Sequence, residues 1–170
     1  PKLTSEQSEI HQALIESVGS NITLKYPKNG EYRSAYVIAN IDDEPTDEAM
    51  VFYEYTSNGS EEDGLRVNIL DKDEKGKWYS VKELAGAGTD IDQVIISPMG
   101  SNNQTDVFVG YQNLTNDEKT MEIYSYTDGD FKRVALDTYS VLEPLDINND
   151  GYIELITIQR STNNDTGAVT

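Results

Sequence analysis

The chain has 170 residues, 31 of them acidic and 13 basic, a formal charge of −18 and no cysteine. That balance repels a phosphate backbone and leaves no basic stripe for an anionic lipid surface, which argues against nucleic-acid binding and membrane attachment. Disulfide scaffolds, zinc–thiolate centres and thiol catalysis are excluded, while the length suffices for one domain or a few repeats sharing a core.

Residues 5–18 carry a helical pattern. Ser5 is placed to cap it, Glu6 suits the first turn, and Ile10, Leu14, Ile15 and Val18 fall on one apolar stripe. Gly19 is placed to end it. This N-terminal segment, residues 1–19, is expected to pack on a sheet or to cover an open sheet edge. His11, the sole histidine, lies on it far from any nucleophile context, so a Ser-His-Asp arrangement has no support.

Residues 20–170 read as a β domain built of repeats. The first unit, about 32–84, predicts strands at 32–39, 49–55, 65–70 and 77–83. Its first turn carries oxygen-bearing side chains at Asn40, Asp42 and Glu44, with Glu48 closing it. Ala85-Gly86-Ala87-Gly88 follows; it lacks the lysine of a phosphate loop and stands where a linker between units belongs. The second unit, about 91–138, predicts strands at 92–96, 107–111, 121–126 and 131–137. Its first turn has Asp106 in the closing position but offers Pro98, Gly100 and Asn102 where the ligands should be, which makes no cation cage. In both units alternating strands flank a glycine-containing turn, the mark of an antiparallel hairpin. Trp78 and Phe131 stand at equivalent places just past those turns and read as packing between units.

The third unit, 140–170, supplies two strands before a polar tail at 161–170, and its turn is the most specific motif of the chain. Asp146, Asn148 and Asp150 alternate, Gly151 follows, and Glu154 closes the loop. A hard cation such as Ca²⁺ takes six to eight oxygens, and short alternating carboxylates and amides supply them from a loop that glycine allows to curl. Tyr152 is expected to add its backbone carbonyl. The glutamate at the ninth place and the strands on both flanks exclude an EF-hand, whose loop closes at its twelfth residue between helices. The closing positions 48, 106 and 154 are spaced 58 and 48 residues apart, a period that indicates stacked supersecondary units. Pro45 stands where the third loop has Gly151, and Glu44 is longer than Asp150. The expected ranking is therefore a full site at Asp146–Glu154, a weak or absent one at Asn40–Glu48, and none in the middle loop.

The loop Asp146–Glu154 and the strand after it resemble the FG-GAP/VCBS-type repeats of integrin-like propellers and bacterial surface proteins. The stretches Asn21–Pro27 and Glu31–Tyr36 further resemble propeller-like lipoproteins of gut Firmicutes. The resemblance implies an extracellular or cell-surface module, stabilised by calcium, non-catalytic, and anchored, if by lipid, through a segment outside these residues. The fold expected is mainly β: four-stranded antiparallel blade repeats, a partial β-propeller of about two and a half blades, with one N-terminal helix. Such a number of blades closes no ring, so the rest is expected outside this sequence or in a partner, unless the sheets stack openly.

The expected function is a calcium-stabilised binding or scaffold module for an unidentified protein or glycan. An ancillary glycan-binding domain of a secreted carbohydrate-active enzyme is the alternative; exposed aromatics near the metal turns would favour it. Two carboxylates suffice for glycoside hydrolysis, but nothing singles out a pair among the 31 acidic residues. The sequons at Asn21, Asn58, Asn103, Asn113 and Asn164 read as chance in a chain this rich in Asn, Ser and Thr.

Overall fold

The helix α1 spans Ser5–Val18, the residues the sequence suggests, but its cap lies one residue earlier than expected. Thr4, not Ser5, is its cap: the Thr4 side chain accepts from the Gln7 N–H at 3.1 Å, and the Gln7 side chain accepts from the Thr4 N–H at 3.1 Å. This reciprocal pair satisfies two donors that a helix start leaves open, and Ser5 is simply the first helical residue. At the other end Gly19 takes φ +86° and donates to the Ile15 carbonyl at 2.9 Å. The computed structural model describes residues 2–56, 64–98, 105–113, 118–139, 141–145, 149–152 and 154–158.

Two antiparallel sheets and a hairpin follow α1. The first sheet comprises β1 (Ile22–Leu24), β2 (Tyr36–Ala39), β3 (Glu48–Tyr55), β4 (Leu65–Lys72) and β5 (Trp78–Ala85). Strand β3 is shared: β4 lies along one side, while β2 and β1 pair with the beginning and end of the other. Strand β1 therefore adds a fifth member to a sheet expected to have four, and residues 32–35 do not join it as strand. The second sheet is the meander β6 (Asp90–Pro98), β7 (Thr105–Gln112), β8 (Lys119–Thr127) and β9 (Asp130–Tyr139). The hairpin is β10 (Val141–Leu145) with β11 (Glu154–Ile158).

Side chains alternate across each strand, so β3 serves two cores at once. Met50 and Phe52 point to the second sheet, where they meet Val107, Val109 and Tyr111. Ala49, Val51 and Tyr53 point the other way, to Ile10, Ala13 and Leu14 of α1. The helix thus covers the outer face of the first sheet, and β3 reads as an unbroken apolar run because both its faces are buried. Truncating Phe52, fully buried, to alanine would cost about 3–5 kcal/mol.

The pairing registers of three hairpins agree at one place. Ala39 faces Glu48, Ser97 faces Asp106, and Leu145 faces Glu154. Each pair spans the same nine-residue interval, so the three closing carboxylates hold the same place beside their turns. In the β4–β5 and β8–β9 hairpins a β-bulge recurs. Val81 has no partner between Lys82 and Ser80, and Val134 has none between Ala135 and Arg133. Each stands three residues past its aromatic, Trp78 or Phe131, and each is more than half exposed. A bulge turns one residue out and sharpens the local twist. Phe131 packs as expected, into the core between the sheets, stacked on Tyr124 at 5.6 Å, whereas Trp78 packs not between units but against the α1 layer. What the second sheet finds in the first, the first finds in the helix.

The linker Ala85–Gly88 needs its glycines for close approach rather than for phosphate. A Cβ on Gly86 would meet Leu65 and Tyr111 side chains at 3.0 Å, and one on Gly88 would meet the Gln112 carbonyl at 2.8 Å. The edge of β6 is covered by the main chain, where the Lys28 and Asn29 N–H groups donate to the Ile91 and Asp92 carbonyls at 3.1 and 2.8 Å. No ring closure is seen among the described residues, and none of their helices is long and apolar enough to cross a membrane.

Candidate cation-binding rim

Antiparallel pairing brings the β2–β3, β4–β5 and β8–β9 turns to one rim of the stacked sheets, and carboxylates gather there. Glu48, the first residue of β3, is the most constrained of them. It is 3% exposed; its Oε2 accepts the Ile41 N–H at 2.8 Å, and its Oε1 has no hydrogen-bond partner. Burial, reinforced by Asp42 and Asp71 nearby, lifts its carboxyl from 4.5 to about 7. Burial and the neighbouring Asp71 and Asp43 also raise Asp42.

The rest of the first loop is occupied with itself. Asn40 donates its amide to the Glu44 carbonyl at 2.7 Å, and Asp42 accepts the Glu44 N–H at 2.7 Å. Oxygens that would face a metal are here tying the turn. Among the described residues no three His, Cys, Asp or Glu side chains are grouped to hold a metal ion.

Above Glu48 lies a cleft of about 260 Å³ between the two sheets. Asp42, Glu44, Glu48 and Asp71 line one side and Asp130 the other; Tyr79 of β5 and Tyr126 of β8 stand as walls, with Ile41, Ile69, Val81 and Phe131 beneath. Burial and the surrounding carboxylates raise both tyrosines. Lys82 crosses from the first sheet to the second, where its ammonium meets both Asp130 oxygens at 3.0 Å and the Phe131 carbonyl at 2.9 Å. All three of its donors are used, and Lys82 in turn holds the Asp130 carboxyl below its usual range.

In the third loop Asp146 and Asn148 lie outside the described residues. Glu154 begins β11 opposite Leu145. Between them Asn149 and Gly151 take φ +58° and +87°, and Asp150 accepts the Tyr152 N–H at 2.9 Å. Two left-handed positions separated by one residue curl the chain tightly, and Gly151 has the positive φ that its place in the motif requires. The described part of the loop therefore fits a cation-wrapping turn. In the middle copy Pro98 is a strand residue opposite Thr105, not a turn residue; Gly100 and Asn102 lie outside the described residues. The middle hairpin keeps its strands.

Sequence reading missed two buried polar arrangements and one at the surface. Asp92, 2% exposed, accepts from Asn29 Nδ2 at 2.8 Å, Lys119 Nζ at 3.0 Å and the Tyr139 hydroxyl at 2.6 Å. Glu122 accepts from the Tyr124 hydroxyl and from Arg133 at 3.0 Å. Glu83 accepts from the Tyr53 and Tyr55 hydroxyls. Acidic residues at alternate places in otherwise apolar strands were the available signal, but they read equally well as solvent-facing. His11 is engaged with the Tyr36 hydroxyl at 2.8 Å, on the helix-covered face. No family model, curated protein or solved structure matches this chain.

Proposed function

We propose that the chain is a calcium-stabilised, blade-repeat module of β-propeller type, of the FG-GAP/VCBS kind, that acts at the cell surface or outside the cell as a binding or scaffold unit without chemistry of its own. The observation that carries this reading is the repeated register: three hairpins set a closing carboxylate nine residues after its strand partner, and one encloses an alternating Asp/Asn loop with a left-handed glycine. Asp146, Asn148, Asp150 and Glu154 would supply side-chain oxygens and Tyr152 its carbonyl; bound calcium would neutralise carboxylates that otherwise repel one another across the turn. The engagement of His11 by Tyr36, and of Asp92 and Glu122 by cations, supports a structural rather than catalytic use of these groups.

Calorimetry with Ca²⁺ on the wild type and Asp150→Ala tests the site: heat is expected only for the wild type, and identical traces would overturn it. Chelation should lower the melting temperature, since an ion that binds only the folded chain stabilises it by mass action. The alternative of a glycan-binding ancillary domain is favoured by one observation, the exposed Tyr79 beside the rim, 45% exposed.

A further inference from the structure

We propose that the cleft between the two sheets is a binding site for an alkylammonium group, seated on the Oε1 of Glu48 between Tyr79 and Tyr126. It is distinct from the calcium loop at Asp146–Glu154 and does not depend on it. Three observations carry the inference. The first is the orphaned oxygen: a carboxylate 3% exposed, lining a cleft, with no donor for one of its two oxygens. A buried acceptor left this way costs free energy that a ligand N–H would recover.

The second is the sign and spread of the charge. Asp42 and Asp71 act on Glu48 from the loop and from β4, Glu44 lines the same side, and Lys82, the one cation among the described residues that line the cleft, has spent all its donors on Asp130 and Phe131. The carboxylates attract a cation, yet they do not converge as a dehydrated Ca²⁺ requires, with several oxygens at about 2.3–2.6 Å. An ammonium is satisfied by separate acceptors and carries an alkyl stem. The third observation concerns that stem: aromatic walls and the apolar Ile69, Val81 and Phe131 suit methylene groups, and tyrosine faces attract a cation. Lys82 shows the same recognition within the fold, an ammonium held between the sheets by a carboxylate and a carbonyl.

The Glu48 carboxyl, raised by burial, offers a readout of occupancy. Facing Glu48 are Asp42, Asp71 and Glu44 on the first sheet and Asp130, paired with Lys82, on the second. A bound ammonium favours the ionised form and must pull this titration downward.

The experiment follows the Glu48 carboxyl and the Tyr126 ring by NMR during titration with n-butylammonium at pH 6 and pH 8. Saturable shifts are expected, several-fold tighter at pH 8, and Glu48→Gln should weaken binding at least tenfold and abolish that pH dependence. Asp128→Asn, which removes an equal charge from an exposed turn, should leave affinity within twofold. If Glu48→Gln fails to fold, Tyr126→Ala reads the same site and should weaken binding several-fold. N-acetyl-lysinamide as a second probe separates the sources: binding by both assigns a lysine side chain of a partner, and binding by butylammonium alone assigns a free amine. Equal loss in Glu48→Gln and Asp128→Asn, equal binding of neutral n-butanol or methyl glucoside, or a Glu48 shift produced by Ca²⁺ and not by the amine would overturn the proposal. Asp150→Ala, which disables the proposed calcium loop, should leave amine binding intact, so the two readings fail separately.

Discussion

Asp92 and Glu48 are two carboxylates of almost equal burial, 2% and 3% exposed, and they are used in opposite ways. Asp92 receives three side-chain donors from three separate parts of the chain, one of them the Lys119 ammonium. Glu48 has only the backbone N–H groups of Ile41 and Asp42 to stabilise it, keeps its Oε1 without a partner, and has two carboxylates for neighbours. Burial penalises a charge in both places, but only at Asp92 do the surroundings repay it. A satisfied buried charge fixes the fold; an unsatisfied one is a strain that the fold carries and a ligand can relieve.

The sharpest way to break the comparison is Asp92→Ala. It leaves the Lys119 ammonium and the Tyr139 hydroxyl without their acceptor and removes the Asn29 side-chain bond, so the loop over that edge keeps only its main-chain ties. The expected cost is about 3–5 kcal/mol, the range for breaking a buried ion pair from one side. Urea unfolding measures it directly. A loss below about 1 kcal/mol would show that the network is decoration.

Glu48 should behave in the reverse sense, and pH reveals it. Its carboxyl ionises near 4.5 in the unfolded chain and near 7 in the fold, so through that window the folded state holds the extra proton. Its contribution is therefore most favourable below pH 4.5 and declines as pH rises through 7, by about 3 kcal/mol at the limit. Asp42 and Glu122, also raised, slope the same way, so the quantity to read is the difference between wild type and Glu48→Gln. That variant should gain stability relative to wild type from pH 5 to pH 8. A constant difference across the window would mean that Glu48 is not the strained group.

How much of this was written in the sequence depends on how far apart the partners lie. The mainly β architecture, the helix with its Gly19 stop, the turns and the register of the three hairpins come from local signals: alternation, glycine and loop spacing. The Thr4 cap was missed because Thr4 and Ser5 are chemically alike, and only the Gln7 side chain three residues on decides between them. Strand β1 was missed because three residues show no period; it is a strand because the end of β3 has no other partner on that side. The Asp92 network was illegible for a different reason. Asn29 and Tyr139 stand 63 and 47 residues from it, and no local pattern announces that a carboxylate between Ile91 and Gln93 faces inward. Glu48 was picked out as a loop-closing ligand; that its burial serves a cleft between sheets depends on Asp71 and Tyr126, which no reading of its own loop includes. In the proposed calcium loop Asp146 and Asn148 lie outside the described residues, and the proposal rests on the motif and the curled backbone at 149–152.

A smaller perturbation asks how tightly the Asp92 network is packed. Gly110 of β7 lies under Tyr139, and a Cβ there would collide with the Tyr139 hydroxyl. The ring has little room to retreat, being 1% exposed, packed on Phe108 at 6.0 Å and hydrogen-bonded to Asp92. Gly110→Ala should therefore cost about 2 kcal/mol, within the range of overpacked cores, measured by the shift in urea midpoint.

The smallest effect discriminates best. Tyr139→Phe removes one donor to Asp92 while Lys119 and Asn29 remain, so the carboxylate keeps its charge partner and the loss should be about 1–2 kcal/mol. The same change deletes the oxygen that a Cβ at position 110 would strike. If the collision and the hydrogen bond are features of one packed unit, the double variant Gly110→Ala with Tyr139→Phe should cost less than the sum of its parts by about 1 kcal/mol or more, as contacting sites commonly do. Strict additivity would mean that the alanine is accommodated elsewhere, by a shift of β7, and that Tyr139 holds Asp92 loosely enough to move aside. A coupled pair would place Tyr139 as the rigid arm that keeps Asp92 satisfied, the counterpart of what Glu48 lacks.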